Sequence, residues 1–222
     1  MLSVLLSASI AAAADAPAAT GTVDIGVLAD SDIRVVQKVL YTKEDRTELG
    51  AHLGIMPFDG FTFAPQLAVT GAIHPSETFG LEVQVGGGYG FKTARYALLE
   101  SPSYGVAVEA YRYLASATAT AQWAPVYAKM NLGGKILHHD VYALAGAGLT
   151  VEQSVLPGGA IALAPTVPIG VGTRVWVGKT TALRFELRDN LMIERRAQSQ
   201  TTAFKQNVAL SVGVSTVGKA KK

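Results

Sequence analysis

Hydrophobic and polar residues alternate with a period of two along most of the chain. The alternation is plainest in the ten residues ALRFELRDNL at 182–191, where three apolar side chains alternate with two arginines and a glutamate. Successive side chains of a β-strand point to opposite faces, so this stretch predicts a strand with one apolar and one ionic face. A single such strand would suit a soluble sheet. Its repetition favours a closed transmembrane barrel that is apolar outside and polar inside.

The alternation predicts an all-β fold, an antiparallel up-and-down barrel of about eight strands. The predicted strands are 46–56, 62–73, 79–92, 117–132, 136–152, 165–177, 182–191 and 203–216. The longer connections follow the third, fifth and seventh strands, as expected for outer loops, and the shorter ones suit periplasmic turns. The first outer connection, 57–60, is unusually short. The parity of the fourth strand slips near Pro125, which predicts a β-bulge there.

Segments outside the predicted barrel have their own character. Residues 1–16 begin MLSVLLSASIAAAA, an apolar run followed by small residues, which predicts a secretory signal peptide. Residues 17–45 are interpreted as a periplasmic arm, with its core from Val23 to Lys43. The barrel is expected over 46–216, followed by a basic tail at 217–222. The tail does not end in the aromatic residue that many outer-membrane barrels carry.

Composition narrows the possible classes. Hydrophobic residues make up 49% of the chain and charged residues 16%, yet past the N-terminus no segment approaches the roughly 20 apolar residues of a membrane helix. A closed barrel also satisfies every backbone hydrogen bond within a bilayer. The net charge of +2 includes no long basic run, so nucleic acid is not an expected partner. The absence of cysteine excludes disulfides and thiolate chemistry.

The polar faces of the predicted strands carry nearly balanced charges. An eight-stranded barrel is just wide enough for side chains to fill it, so these residues predict an ion-pair network that plugs the lumen. A small channel or transporter is the alternative. The predicted network comprises Glu48, Glu82, Lys129, Asp140, Arg174, Arg184, Glu186 and Arg188.

Other patterns give weaker indications of chemistry. His138 and His139 are adjacent, so a strand would point them to opposite faces, and a shared metal ion is not expected. Some small outer-membrane barrels modify lipids with Ser and His, but His52, His74 and Ser76 form no evident constellation with a carboxylate. The sequence therefore predicts no cofactor and no enzymatic activity. A soluble ligand-binding barrel, with its apolar face inside, is a further alternative.

Four motifs together resemble an outer-membrane β-barrel family of gliding and predatory proteobacteria. They are VVQK at 35–38 followed by RTEL at 46–49, WAPVY at 123–127 with Lys129, KILHHDVY at 135–142, and LRFELRD at 183–189. The resemblance spans about 35–214. It implies an outer-membrane location and, for some members, a structural part in an envelope machine for adventurous gliding motility.

Besides outer-membrane lipid, envelope or motility proteins are the expected partners. Two segments are candidate contacts: the arm from Val23 to Lys43 and the outer loop from Thr93 to Ser116. Tyrosine is enriched at interfaces because it combines a large rigid surface with one polar end. In the loop, Tyr96 and Tyr104 are expected to be exposed. Tyr111 and Tyr113 suit either a partner contact or the aromatic girdle of the barrel.

Overall fold

Eight long antiparallel strands form one closed sheet in a computed structural model that describes residues 40–196 and 199–218. Each long strand pairs with the next along the chain, and β9 pairs with β1, which closes the ring. The predicted eight-stranded antiparallel barrel is confirmed. The elements are β1 Arg46–Phe58, β2 Thr62–His74, β3 Phe79–Gly88, β4 Phe91–Lys92, α1 Ala94–Glu100, β5 Tyr111–Leu132, β6 Lys135–Ser154, β7 Ile161–Trp176, β8 Thr181–Arg195 and β9 Thr202–Val217.

Burial alternates along every long strand, as the sequence pattern predicts. In β9, for example, Ala209 is 4% exposed and the adjacent Leu210 is 55% exposed. The outer face is a continuous apolar band that suits lipid contact. Exposed side chains of this band include Leu49, Leu53, Leu67, Val83, Phe185, Leu187, Val208, Leu210, Val212 and Val214. Leu183, predicted to face lipid, is half-buried.

Within the described residues, no helix is both long enough and apolar enough to cross a membrane.

Several strand boundaries differ from the prediction. The third predicted strand ends at Gly88 and resumes only as the two-residue β4. β5 begins at Tyr111, six residues before the predicted start, because the alternation continues into the tyrosine-rich segment. The pairing of β5 with β6 shifts register between Trp123 and Val126. This shift confirms the predicted bulge at Pro125, where the ring nitrogen has no proton to donate to the ladder.

The connections divide into two ends of the barrel. We call the end that carries the 93–110, 155–160 and 196–201 connections the loop end, and the opposite end the turn end. At the turn end, β5 and β6 are joined by Gly133 and Gly134, whose φ angles of 58° and 82° suit glycine and a tight hairpin. The predicted signal peptide, residues 17–39 of the arm and residues 219–222 of the tail lie outside the described residues.

Candidate functional site

The inner face of the barrel concentrates charged residues in one buried layer. On β8, Arg184, Glu186 and Arg188 occupy three successive inward positions, and all three are at most 5% exposed. Strands β1, β3, β6 and β7 each add one inward charge at a similar depth. These charges are Glu48, Glu82, Asp140 and Arg174, each 1% exposed.

Arg174 joins two carboxylates across the lumen. Its Nη2 lies 2.9 Å from Glu48 Oε2, and its Nη1 lies 3.0 Å from Asp140 Oδ2. Glu48 also accepts from Arg184 at 3.4 Å, and its Oε2 lies 2.8 Å from the imidazole Nε2 of His74. Glu48 thus connects β1 to β2, β7 and β8. A buried carboxylate held in this way has its charge compensated on several sides.

The second half of the layer is built around two arginines of β8. Arg184 Nη2 lies 2.6 Å from Glu82 and also pairs with Glu186. Arg188 donates from Nη2 to Glu82 and from Nε to Glu186, both at 2.7 Å. Gln122 donates to Glu82 at 2.8 Å. Each carboxylate therefore faces two guanidinium groups, which favours ionised forms of both partners.

An aromatic ring supports the arginines from one side. The guanidinium carbons of Arg174 and Arg184 lie 5.2 Å and 5.5 Å from the ring centre of Tyr142. The hydroxyl of Tyr142 donates to Glu186. The ring lies against Gly172, where an added Cβ would come within 2.5 Å of Tyr142 Cζ. Glycine at 172 is therefore required for this cation–π arrangement.

Lys43, and not Lys129, supplies the last cation of the layer. Lys43 lies just before β1, is 4% exposed and pairs with Asp140. Lys129 was predicted in the network, but the structure places it elsewhere. β5 continues beyond Trp123, the last residue that pairs with β3, so Lys129 lies exposed on a hairpin extension. The resulting lumen network consists of Lys43, Glu48, Glu82, Asp140, Arg174, Arg184, Glu186 and Arg188.

The segment around Lys43 closes the turn end of the barrel. The backbone N–H groups of Lys43 and Glu44 donate to the Glu77 carboxylate at 3.0–3.1 Å. Tyr41 stacks on the buried Trp176, with ring centres 5.1 Å apart and planes inclined by 5°. Burial lowers the pKa of the Lys43 ammonium, and the facing Asp140 carboxylate only partly offsets this effect.

Apolar side chains close the loop end. Tyr111 and Tyr113, which the sequence suggested for a girdle or a partner contact, are 0% and 1% exposed and point into the barrel. The correction follows from the early start of β5, which gives both residues inward parity. They form a cluster with Met56, Phe58, Ala64, Ala164, Met192 and Ala209.

The loop connections are tied together at Asp59, which is 7% exposed. Its carboxylate pairs with Lys205 and with Arg196, the latter at 3.2 Å, and accepts from the Tyr111 N–H at 3.3 Å. Arg196 in turn donates to the Glu109 carbonyl. One acidic side chain therefore holds the first hairpin, the β8–β9 connection and the start of β5 in fixed positions.

The two tyrosines predicted to be exposed in this loop have different environments. Tyr104 is 60% exposed, as expected. Tyr96 is 2% exposed, because α1 packs it against Ala110 and Val155, so its predicted exposure is wrong. The side chain of Thr93 caps α1 by accepting from the Tyr96 N–H at 3.5 Å.

The histidines considered for chemistry lie in separate places. His74 bonds to Glu48 inside the lumen, whereas the Ser76 hydroxyl accepts from the Phe79 N–H in the neighbouring turn. His52 is buried beside Thr70. His138 bonds to the Tyr127 hydroxyl at 2.8 Å. Among residues 40–196 and 199–218, no group of three or more His, Asp or Glu side chains is arranged to hold a metal ion.

The closed ring, the outer apolar band and the ionic interior define a small outer-membrane β-barrel. Among solved structures, the chain is similar to the N-terminal β-barrel domain of OprF from Pseudomonas aeruginosa, with a TM-score of 0.51 and 10% identity over 79% of this chain and 98% of that one. Neisserial surface protein A matches with a TM-score of 0.48 and 14% identity over 77% and 95% of the two chains. Ail of Yersinia pestis matches with a TM-score of 0.42 and 11% identity over 80% and 99%.

No family model and no curated protein matches the sequence. At these identities the likeness establishes the fold, and it gives no support to membership of the gliding-motility family.

Proposed function

We propose that the protein is a non-enzymatic, non-conducting barrel that anchors contact segments for other envelope proteins in the outer membrane. The filled lumen is the observation that supports this role most directly. Eight paired charges cross the interior in one layer, and side chains cover this layer at both ends. Opening a path for solute would require breaking several buried ion pairs, each at a cost of several kcal/mol, or about 3–5 kcal/mol when one partner is lost.

The connection between β4 and β5 offers one contact surface at the loop end. It carries exposed apolar side chains on a fixed support: Leu98, Tyr104 and Val106 are 56%, 60% and 48% exposed. The buried Tyr96 anchors α1 to the barrel beneath them. A surface that is held in one conformation loses less entropy on binding than a flexible loop does.

The arm offers the second contact at the turn end. Residues 41–44 are fastened to the barrel through Tyr41, Lys43 and Glu77, so the arm enters the barrel at a fixed point. The turns at 75–78, 133–134 and 177–180 are too short to build a large interface. We therefore assign periplasmic contacts to residues 23–39.

Planar-bilayer recording tests the closed lumen. The purified, folded protein is expected to leave the membrane current unchanged at neutral pH. The double variant Glu48→Ala, Arg174→Ala removes a central pair and serves as the opened comparison. Stable, water-filled conductance steps from the unaltered protein would reject the closed barrel and favour the alternative function of channel or transporter.

Deletion of the contact segments tests the anchoring role. Removing 23–36, or replacing Leu98 and Tyr104 by serine, should preserve folding, as measured by heat-modifiable gel mobility. The same changes should weaken co-purification of partners from crosslinked envelopes. Serine at the lipid-facing Leu53 is a matched control for loss of an exposed apolar group. Unchanged co-purification with both segments altered would place the contacts on the barrel wall.

A part in gliding motility is a narrower proposal that rests on the motif resemblance alone. A strain that lacks the protein is then expected to lose surface movement and to keep its lipid A acylation pattern. Normal movement together with altered acylation would instead favour a lipid-modifying enzyme.

A further inference from the structure

A small polar cavity lies inside the barrel, between the lumen network and the apolar cluster of the loop end. Its volume is about 20 Å³, and its lining includes His52, Gln66, Gln84, Ser116, Thr118 and Arg188. A cavity needs roughly 10–15 Å³ to hold one water-sized species, so this one accommodates a single small occupant.

Three buried polar atoms of the lining have no hydrogen-bond partner within the described part of the chain. They are Arg188 Nη1, Thr118 Oγ1 and His52 Nδ1. Their residues are 5%, 7% and 2% exposed, so bulk water does not solvate them. Buried polar groups in folded proteins are almost always satisfied, and a charged donor left unpaired is especially costly. The unmet atoms therefore indicate an occupant.

The chemistry of the lining favours an anion as that occupant. Arg188 can only donate, and its Nε and Nη2 already serve Glu186 and Glu82, which leaves Nη1 for another acceptor. Both of these carboxylates are also paired with Arg184. The Thr118 hydroxyl and the amide of Gln84 add neutral donors around the same space.

We propose that this cavity binds one small monovalent anion of halide size, held by Arg188 Nη1 and the Thr118 hydroxyl. A water molecule also fits the volume, but it is neutral and cannot compensate the cationic donor. Because the cavity lies between two closed layers, the anion would enter during folding or slow opening of the barrel. The site is independent of the contact segments proposed above.

Bromide is a suitable probe, with anomalous scattering to locate it and bromide-dependent thermal stability to measure affinity. Titrations of the folded protein in detergent are run at constant ionic strength, with gluconate, which is too large for the cavity, as the replacement anion. We expect saturable stabilisation and one anomalous peak between Arg188 and Thr118. A peak of water density with no saturable bromide effect would overturn the proposal.

Two near-isosteric variants make the test specific. Gln84→Glu brings a negative charge to the cavity and should weaken bromide binding by about tenfold or more, since facing like charges are strongly unfavourable. Thr118→Val removes one donor with little change of volume and should weaken binding by a smaller factor. Thr150→Val, which alters a hydroxyl pair with Thr166 outside the cavity, is the control. Equal bromide affinity in all three variants would refute the assigned site.

Discussion

Leu210 gives the sharpest test of which face of the barrel meets lipid. It lies at the middle of β9, is 55% exposed and pairs with Leu187 of β8 and Ile55 of β1. An arginine there would place a guanidinium in hydrocarbon, and the expected loss of folding free energy is about 2–4 kcal/mol at the bilayer midplane. Leu210→Ala removes the same apolar contact without adding charge.

Depth along the same strand supplies the matched comparison. Phe204 shares the outward face of β9 and is 64% exposed. It lies six positions toward the loop end; at about 3.3 Å per residue and about 40° of tilt, that is about 15 Å along the barrel axis. Half of an apolar band of about 25 Å is about 12 Å, so Phe204→Arg reaches the interface, where arginine costs about 0–1 kcal/mol.

The assay is urea-dependent folding into lipid vesicles, followed by heat-modifiable gel mobility. A difference of about 2 kcal/mol between Leu210→Arg and Phe204→Arg is a factor of about 30 in the folding equilibrium. Equal losses at the two positions would show that neither side chain senses the bilayer, and the assigned outer face would be wrong.

Three further predictions concern the interior. Glu48→Gln should lower the free energy of unfolding by about 3–5 kcal/mol, because it strips a buried pair of its charge, whereas the exposed pair broken by Glu100→Gln should cost less than about 1 kcal/mol in the same urea titration. Gly172→Ala should destabilise by about 1–3 kcal/mol, while Gly71→Ala, where an added Cβ meets only ordinary contact at 3.7 Å, should be tolerated. Since burial lowers the pKa of Lys43 in the folded state, the unfolded chain binds more protons, and stability should rise with pH toward the ordinary lysine pKa; Lys43→Met should remove that rise, and an unchanged slope would contradict it.

Two-residue periodicity carries most of what could be predicted from the sequence. It specifies which side chains share a face, so the eight strands, the apolar band and the inward position of seven of the eight network residues follow from it. The bulge at Pro125 could also be predicted, because proline both breaks the ladder and marks the change of parity. In each case the signal is local and needs no knowledge of which strands are neighbours.

The differences arise where the location of a residue depends on distant parts of the chain. Lys129 has inward parity, but whether its level of β5 lies inside the ring depends on where β3 stops pairing. Lys43 has no strand pattern at all, and its place in the lumen follows from contacts of its neighbours with Glu77 and Trp176. Tyr111 illustrates a third kind of dependence, because its inward parity becomes meaningful only once β5 is extended by pairing with β6. Buried charge must be compensated wherever the fold places it. The deficit that Lys129 leaves beside Asp140 is therefore filled from outside the strands, and this requirement gives the segment before β1 a structural role as the seal of the turn end.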